Sequence, residues 1–180
     1  MAEYREVNSK EKAHSETLQE QWHPPSTGIL KINTDAAFHQ SSKEAQLGVV
    51  GRDSRGEIWF CATSKKNDIF SPLHAELLAI LYALQLAKSY DFKEVKVETD
   101  SSIAVKEISK SLSSFCTWGS IISDICNLME EFEKFSILHI RRHCNSLAHN
   151  LAKLEVAHGV SKFWWRELPN GLCNLDFIMT

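Results

Sequence analysis

Residues 71–87 read Ser71-Pro72-Leu73-His74-Ala75-Glu76-Leu77-Leu78-Ala79-Ile80-Leu81-Tyr82-Ala83-Leu84-Gln85-Leu86-Ala87. Ser71 suits an N-cap and Pro72 the first helical position, where a missing N–H costs nothing. Leu73, Leu77, Ile80 or Leu81, Leu84 and Ala87 recur on one helical face, and Leu78, Tyr82 and Leu86 widen it. So broad an apolar surface predicts a helix covered over much of its circumference. With His74 neutral, Glu76 is the only charged residue between Asp68 and Lys88. A carboxylate in that setting must protonate, meet a cation or reach a solvated edge. The competing reading is a first-turn acid favoured by the helix dipole.

Working outward, three strand candidates precede this helix: Leu30 to Phe38, Leu47 to Asp53 and Ile58 to Thr63. Asp53-Ser54-Arg55-Gly56 is a turn signal joining the last two as an antiparallel hairpin. The polar stretch Gln40 to Gln46 turns the first strand back into the second. After the helix, Val95 and Val97 alternate with Lys96 and Glu98 in a fourth strand. A short helix runs from Ser101-Ser102 to about Ser109. Trp118, Ile121, Ile122, Ile125, Leu128, Met129 and Phe132 mark another. Phe135 to Arg141 is a fifth strand, and Asn145 caps a last helix through about Ala157. A meander followed by crossover helices predicts an α/β domain whose later strands run parallel to the first.

The composition suits one globular domain: 180 residues, 43% apolar and 24% charged. The expected division is a polar leader over 1–21, a domain over 22–175 and a tail over 176–180. Neither a signal peptide nor a membrane-length apolar run is read in the chain. Cys61, Cys116, Cys126, Cys144 and Cys173 are odd in number and scattered, which points to reduced thiols in a soluble intracellular protein and away from structural zinc. The net charge of −3 lacks the basic surplus of tight duplex binders, so nucleic-acid contacts are expected to be local.

Two further acids join Glu76. Asp35 sits inside the run Ile32-Asn33-Thr34-Asp35-Ala36-Ala37-Phe38, although aspartate is depleted in strand interiors. Asp100 follows Thr99 at the end of the fourth strand, where it could equally be a helix N-cap. If the helix at 71–87 crosses between parallel neighbours, both Thr-Asp pairs emerge at one end of the sheet, with Glu76 packed across them. Three converging carboxylates suit Mg2+ or Mn2+ rather than zinc. A pair of such ions would activate water and stabilise the leaving oxygen in a displacement at phosphorus. Glu98 shares a strand face with Asp100 and is the competing ligand.

Trp22-His23-Pro24-Pro25, INTDAAF, GVVGRDSRGEIW, SPLHAELLAI, VKVETDSS, IRRHCNSLAHNLA and FWWRELP follow one another in order. As an ordered set they resemble the ribonuclease H family, type 1, in the form of plant reverse-transcriptase-like domains, over about Trp22 to Leu175. The resemblance implies a five-stranded mixed sheet of order 3-2-1-4-5 flanked by helices. It also implies cleavage of the RNA strand of an RNA–DNA hybrid with two Mg2+ (or Mn2+) ions; the chain itself is expected to be a monomer with no membrane partner. Asp35, Glu76 and Asp100 match the family's first three metal-binding acids. His149 stands where the fourth is expected, in Asn145-Ser146-Leu147-Ala148-His149. Imidazole is a poor magnesium ligand. His149 therefore either weakens the second ion, protonates the leaving oxygen, or is a polar residue on a helix face.

Ala36 replaces a common glycine, and Ser71-Pro72-Leu73 replaces asparagines that read the hybrid in many members. Ala36, Ser101, Arg141, Arg142 and Asn145 are the expected nucleic-acid contacts, with a solvated strand end as the other reading of the arginine pair. His143 is read as a loop residue, and Arg52 and Arg55 as hairpin surface. Trp22 and Trp118 are expected in the core. Phe163-Trp164-Trp165 is expected to pack on the sheet rather than stack on bases.

Overall fold

The computed structural model describes residues 21–110, 119–154, 156–157 and 160–172. Trp118, Cys116, Cys173, the expected leader up to residue 20 and the expected tail lie outside them. Six strands form one mixed sheet: β1 (Leu30–His39), β2 (Glu44–Arg52), β3 (Ile58–Lys66), β4 (Glu94–Thr99), β5 (Lys134–His139) and β6 (Ser161–Trp165). Their order is β5-β4-β1-β2-β3-β6. The meander β1-β2-β3 is antiparallel, and β4 and β5 run parallel to β1. The helices are α1 (Pro72–Ser89), α2 (Ser102–Lys110), α3 (Gly119–Met129) and α4 (Ser146–Ala152), the last preceded by a 3-10 turn over Arg142–Asn145.

Helix α1 starts where its sequence says: Ser71 is extended and its side chain accepts from the His74 N–H, with Pro72 following. One sheet face supplies Leu30, Ile32, Val49, Phe60, Ala62, Val95 and Val97 to a core closed by Leu77, Ile80 and Leu84 of α1 and by Ile122 and Ile125 of α3. Each such aliphatic side chain contributes roughly 1.5–3 kcal/mol by leaving water. Contact with the sheet and with α3 explains why α1 is apolar on so many sides. The other sheet face is covered by α4, whose Leu147, Ala148 and Leu151 pack on Val50 and Cys61.

Three expectations change. Strand β6 adds a sixth member beside β3, pairing Phe60 with Trp165 and Ala62 with Phe163. The aromatic triplet thus belongs to the sheet: Phe163 stacks on Phe60 and Tyr90, while Trp164 packs on the α4 side. The last helix stops at Ala152 rather than about Ala157, and Phe132 is buried in the core just past α3. Arg52 is not hairpin surface but fully buried, its guanidinium 3.5 Å from the Trp22 ring centre and its Nη2 donating to Asn33 Oδ1 at 2.9 Å. A planar cation of this kind is suited to stacking on an aromatic face. Trp22 is core, as expected, and Arg55 is exposed, pairing with Glu57.

Candidate metal centre

Strands β1 and β4 pair from Leu30–Val95 to a last rung, Thr34–Thr99. Asp35 and Asp100 are the next residue on each. Beyond this rung β1 continues against β2, with Asp35 opposite Gly48, whereas β4 ends and the chain turns into α2. Asp35 is therefore a mid-strand aspartate. The N-terminal turn of α2 is capped by Ser101, whose Oγ accepts from the Ala104 N–H at 3.2 Å. Capping thus falls to Ser101, and Asp100 faces the neighbouring acids. Glu76 lies beyond the first turn of α1, so the dipole reading fails as well. Asp35, Glu76 and Asp100 each bring a carboxylate oxygen within 4.8 Å of the others.

No lysine or arginine among the described residues forms an ion pair with any of the three. Burial, reinforced by the charges of Asp35 and Asp100, pushes the Glu76 carboxyl up to about 9. Glu76 Oε2 is buried without a hydrogen-bond partner. Burial also raises Asp35, against the favourable hydrogen bond from His149 and with Asp100 adding to the rise. Gathered carboxylates with an orphaned buried oxygen fit a hard divalent cation, whose charge would reverse this electrostatic penalty.

The 3-10 turn places Asn145 at the back of the cluster. Its Nδ2 donates to Thr34 O at 2.8 Å and to Asp100 Oδ1 at 3.3 Å, while its Oδ1 accepts from Asn33 at 3.3 Å. Asn145 is 1% exposed and occupies the N-cap position of α4 without a side-chain cap hydrogen bond, its amide turned to the site instead. It braces the site from within. His149 lies beside Asp35, with Nδ1 2.7 Å from Asp35 Oδ2 and Nε2 3.4 Å from Arg142 Nη2. A Cβ on Gly48 would fall 2.3 Å from Ala148 O, so glycine is what lets α4 lie against β2 and deliver His149. Sequence reasoning missed Gly48, although the strand interior is where an unexplained glycine signals close backbone approach.

Ala36 and Ser101 border the acids and are partly exposed, and Arg141, Arg142 and His143 are exposed. Glu98 is not a ligand. It is buried in an ion pair with Lys31 at 2.8 Å and accepts from Asn33 Nδ2 at 3.2 Å. Lys31 and Glu98 share a sheet face, offset by two residues because Lys31 lies opposite Lys96 and Asn33 opposite Glu98, a signal the sequence carries only once strand pairing is known.

The sheet order, the crossover helix and the acids just past the last β1–β4 rung together define a ribonuclease H-like domain. Residues 33–155 match the reverse transcriptase-like family model, and the chain belongs to that family. Among curated proteins it is 28% identical over 154 residues to "Putative ribonuclease H protein At1g65750" of Arabidopsis thaliana, covering 86% of this chain. The chain spans only 25% of that relative's length. Its fold is that of the ribonuclease H1 of Halobacterium salinarum, with a TM-score of 0.63 at 21% identity over 69% of this chain and 95% of the other. The same fold is seen in LC11-RNase H1 in complex with an RNA/DNA hybrid, with a TM-score of 0.61 at 22% identity over 69% and 94% of the two chains. Among the described residues no helix is long and apolar enough to cross a membrane.

Proposed function

We propose that this chain is a metal-dependent endonuclease that hydrolyses the RNA strand of an RNA–DNA hybrid. The observation that carries the reading is the meeting of Asp35, Glu76 and Asp100 within 4.8 Å, unmatched by any lysine or arginine ion pair among the described residues. Their oxygens would hold Mg2+ or Mn2+, which when bound supplies charge stabilisation at a phosphodiester and a more acidic water. Asp35 and Asp100 present their carboxylates from just past the last rung between β1 and β4, and Glu76 closes the set from α1. Asn145 orients Asp100 through its amide. The His149–Asp35 contact fixes the rotation of the Asp35 carboxylate. Ala36 and Ser101 are small and leave room for a sugar-phosphate backbone beside the acids. Arg141 and Arg142, both exposed, supply positive charge to phosphates, and selectivity for a hybrid would come from its 2′-hydroxyls in the minor groove. The likeness to a fold solved with a hybrid supports this substrate class.

One observation favours a second reading, a nucleic-acid-binding module of the same fold with weak or lost turnover: His149 rather than an acid accompanies Asp35. Labelled RNA–DNA hybrid with Mg2+ or Mn2+ separates the two. The nuclease reading expects cleavage of the RNA strand that disappears in Asp35→Asn. Hybrid binding without cleavage in either metal supports the module, and full-rate cleavage by Asp35→Asn places the active site elsewhere.

A further inference from the structure

We infer that this centre holds one divalent cation rather than two, because His149 occupies the oxygen of Asp35 that a second ion would need. The inference rests on the metal-dependent reading above and sharpens it. A carboxylate that bridges two cations gives an oxygen to each. Here Asp35 Oδ2 is 2.7 Å from His149 Nδ1. The direction of that bond follows from the other ring nitrogen. Arg142 Nη2, 3.4 Å from Nε2, belongs to a group that has only donors, so Nε2 accepts and Nδ1 carries the hydrogen donated to Asp35. Arg142 thus favours the tautomer of His149 that donates to Asp35 Oδ2.

Three other features agree. Among the described residues no fourth carboxylate or cysteine joins Asp35, Glu76 and Asp100. Glu98, the nearest acid in sequence to Asp100, is committed to Lys31 and Asn33. His149 also stands on a helix pinned by the buried Leu147, Ala148 and Leu151 and by the close approach of Ala148 to Gly48, so its place is set by packing. Charge favours the same count. Three carboxylates, one guanidinium and one divalent cation are locally neutral, whereas a second cation would face the Arg142 charge without a new acid to offset it.

The test is a count of bound Mn2+ per chain, read from the electron paramagnetic resonance of the free ion, in the full chain without nucleic acid. One ion is expected for the natural protein and two for His149→Asp. Two ions in the natural protein overturn the inference and leave the metal-dependent reading intact, whereas no bound ion overturns both. A folded His149→Asp protein that still binds one ion shows that the histidine does not set the count, and also overturns it. Should that variant misfold, the natural chain still decides through the 15N resonances of His149. Nδ1 is expected to stay protonated and hydrogen-bonded when saturated with Mg2+, and loss of that signature on adding Mg2+ would contradict the inference.

Discussion

Strands β1 and β4 lead to two groups of charge, four residues apart from Lys31 to Asp35 and two from Glu98 to Asp100, and built in opposite ways. At one, Lys31 and Glu98 pair at 2.8 Å, Asn33 donates to Glu98, and Arg52 stacks on Trp22. Burial lowers the Lys31 ammonium from its ordinary value, while Glu98 pulls it back. At the other, Asp35, Glu76 and Asp100 meet with no lysine or arginine ion pair among the described residues, only His149 beside Asp35 and the Asn145 amide on Asp100, and Glu76 is pushed up to about 9. In the first group Lys31 and Glu98 compensate each other inside the protein and serve the fold. The second is finished only from outside, which is what a site for a cation requires.

Substitutions should therefore act in opposite directions at the two groups. The largest effect is on activity: Asp35→Asn should remove Mg2+-dependent cleavage of a labelled hybrid while circular dichroism stays unchanged. Next is Glu98→Ala, which strands Lys31 in the interior and should destabilise by about 3–5 kcal/mol in urea denaturation. Conversion of both Lys31 and Glu98 to apolar residues of similar size should restore much of that loss. At the acid cluster the sign reverses. In chelator, Glu76 has a folded value near 9 against an ordinary 4.5, so its contribution to stability is full below 4.5 and is lost as pH rises through about 9. Glu76→Gln should flatten that decline, making the metal-free variant more stable than the natural protein at pH 8 by on the order of a few kcal/mol, with the two converging near pH 4.5.

A smaller effect tests how α4 is seated beside the acid cluster. Gly48→Ala forces a Cβ toward Ala148 O and Ala152 N, and α4 must shift. We expect a loss of about 1–3 kcal/mol in urea denaturation. The variant should also lose the protonated Nδ1 signature of His149, because α4 carries that imidazole to Asp35.

Much of this was legible before any coordinates. The Ser71-Pro72 start of α1, the isolation of Glu76 and the repeated Thr-Asp gave the strands, the crossover and the acids, because each rests on local chemistry. Strand β6 was not read, since residues 161–165 lack a polar alternation and their place depends on the free edge of β3. The burial of Arg52 and the inward hydrogen bonds of Asn145 escape a sequence reading for a related reason. Both are polar residues whose partners, Trp22 with Asn33 and Thr34 with Asp100, are distant in sequence. Glu98 could be separated from the ligand set only by its register with Lys31.

The most direct test of the contrast between the two groups is a thermal melt with and without Mg2+. For the natural chain, Mg2+ at about a hundred times its dissociation constant should add about 2.7 kcal/mol, or roughly 5–10 °C in Tm. The triple variant Asp35→Asn, Glu76→Gln, Asp100→Asn should melt higher in chelator and show no Mg2+ shift. A natural protein indifferent to Mg2+ and Mn2+, or a triple variant that shifts as much as the natural one, would contradict the account.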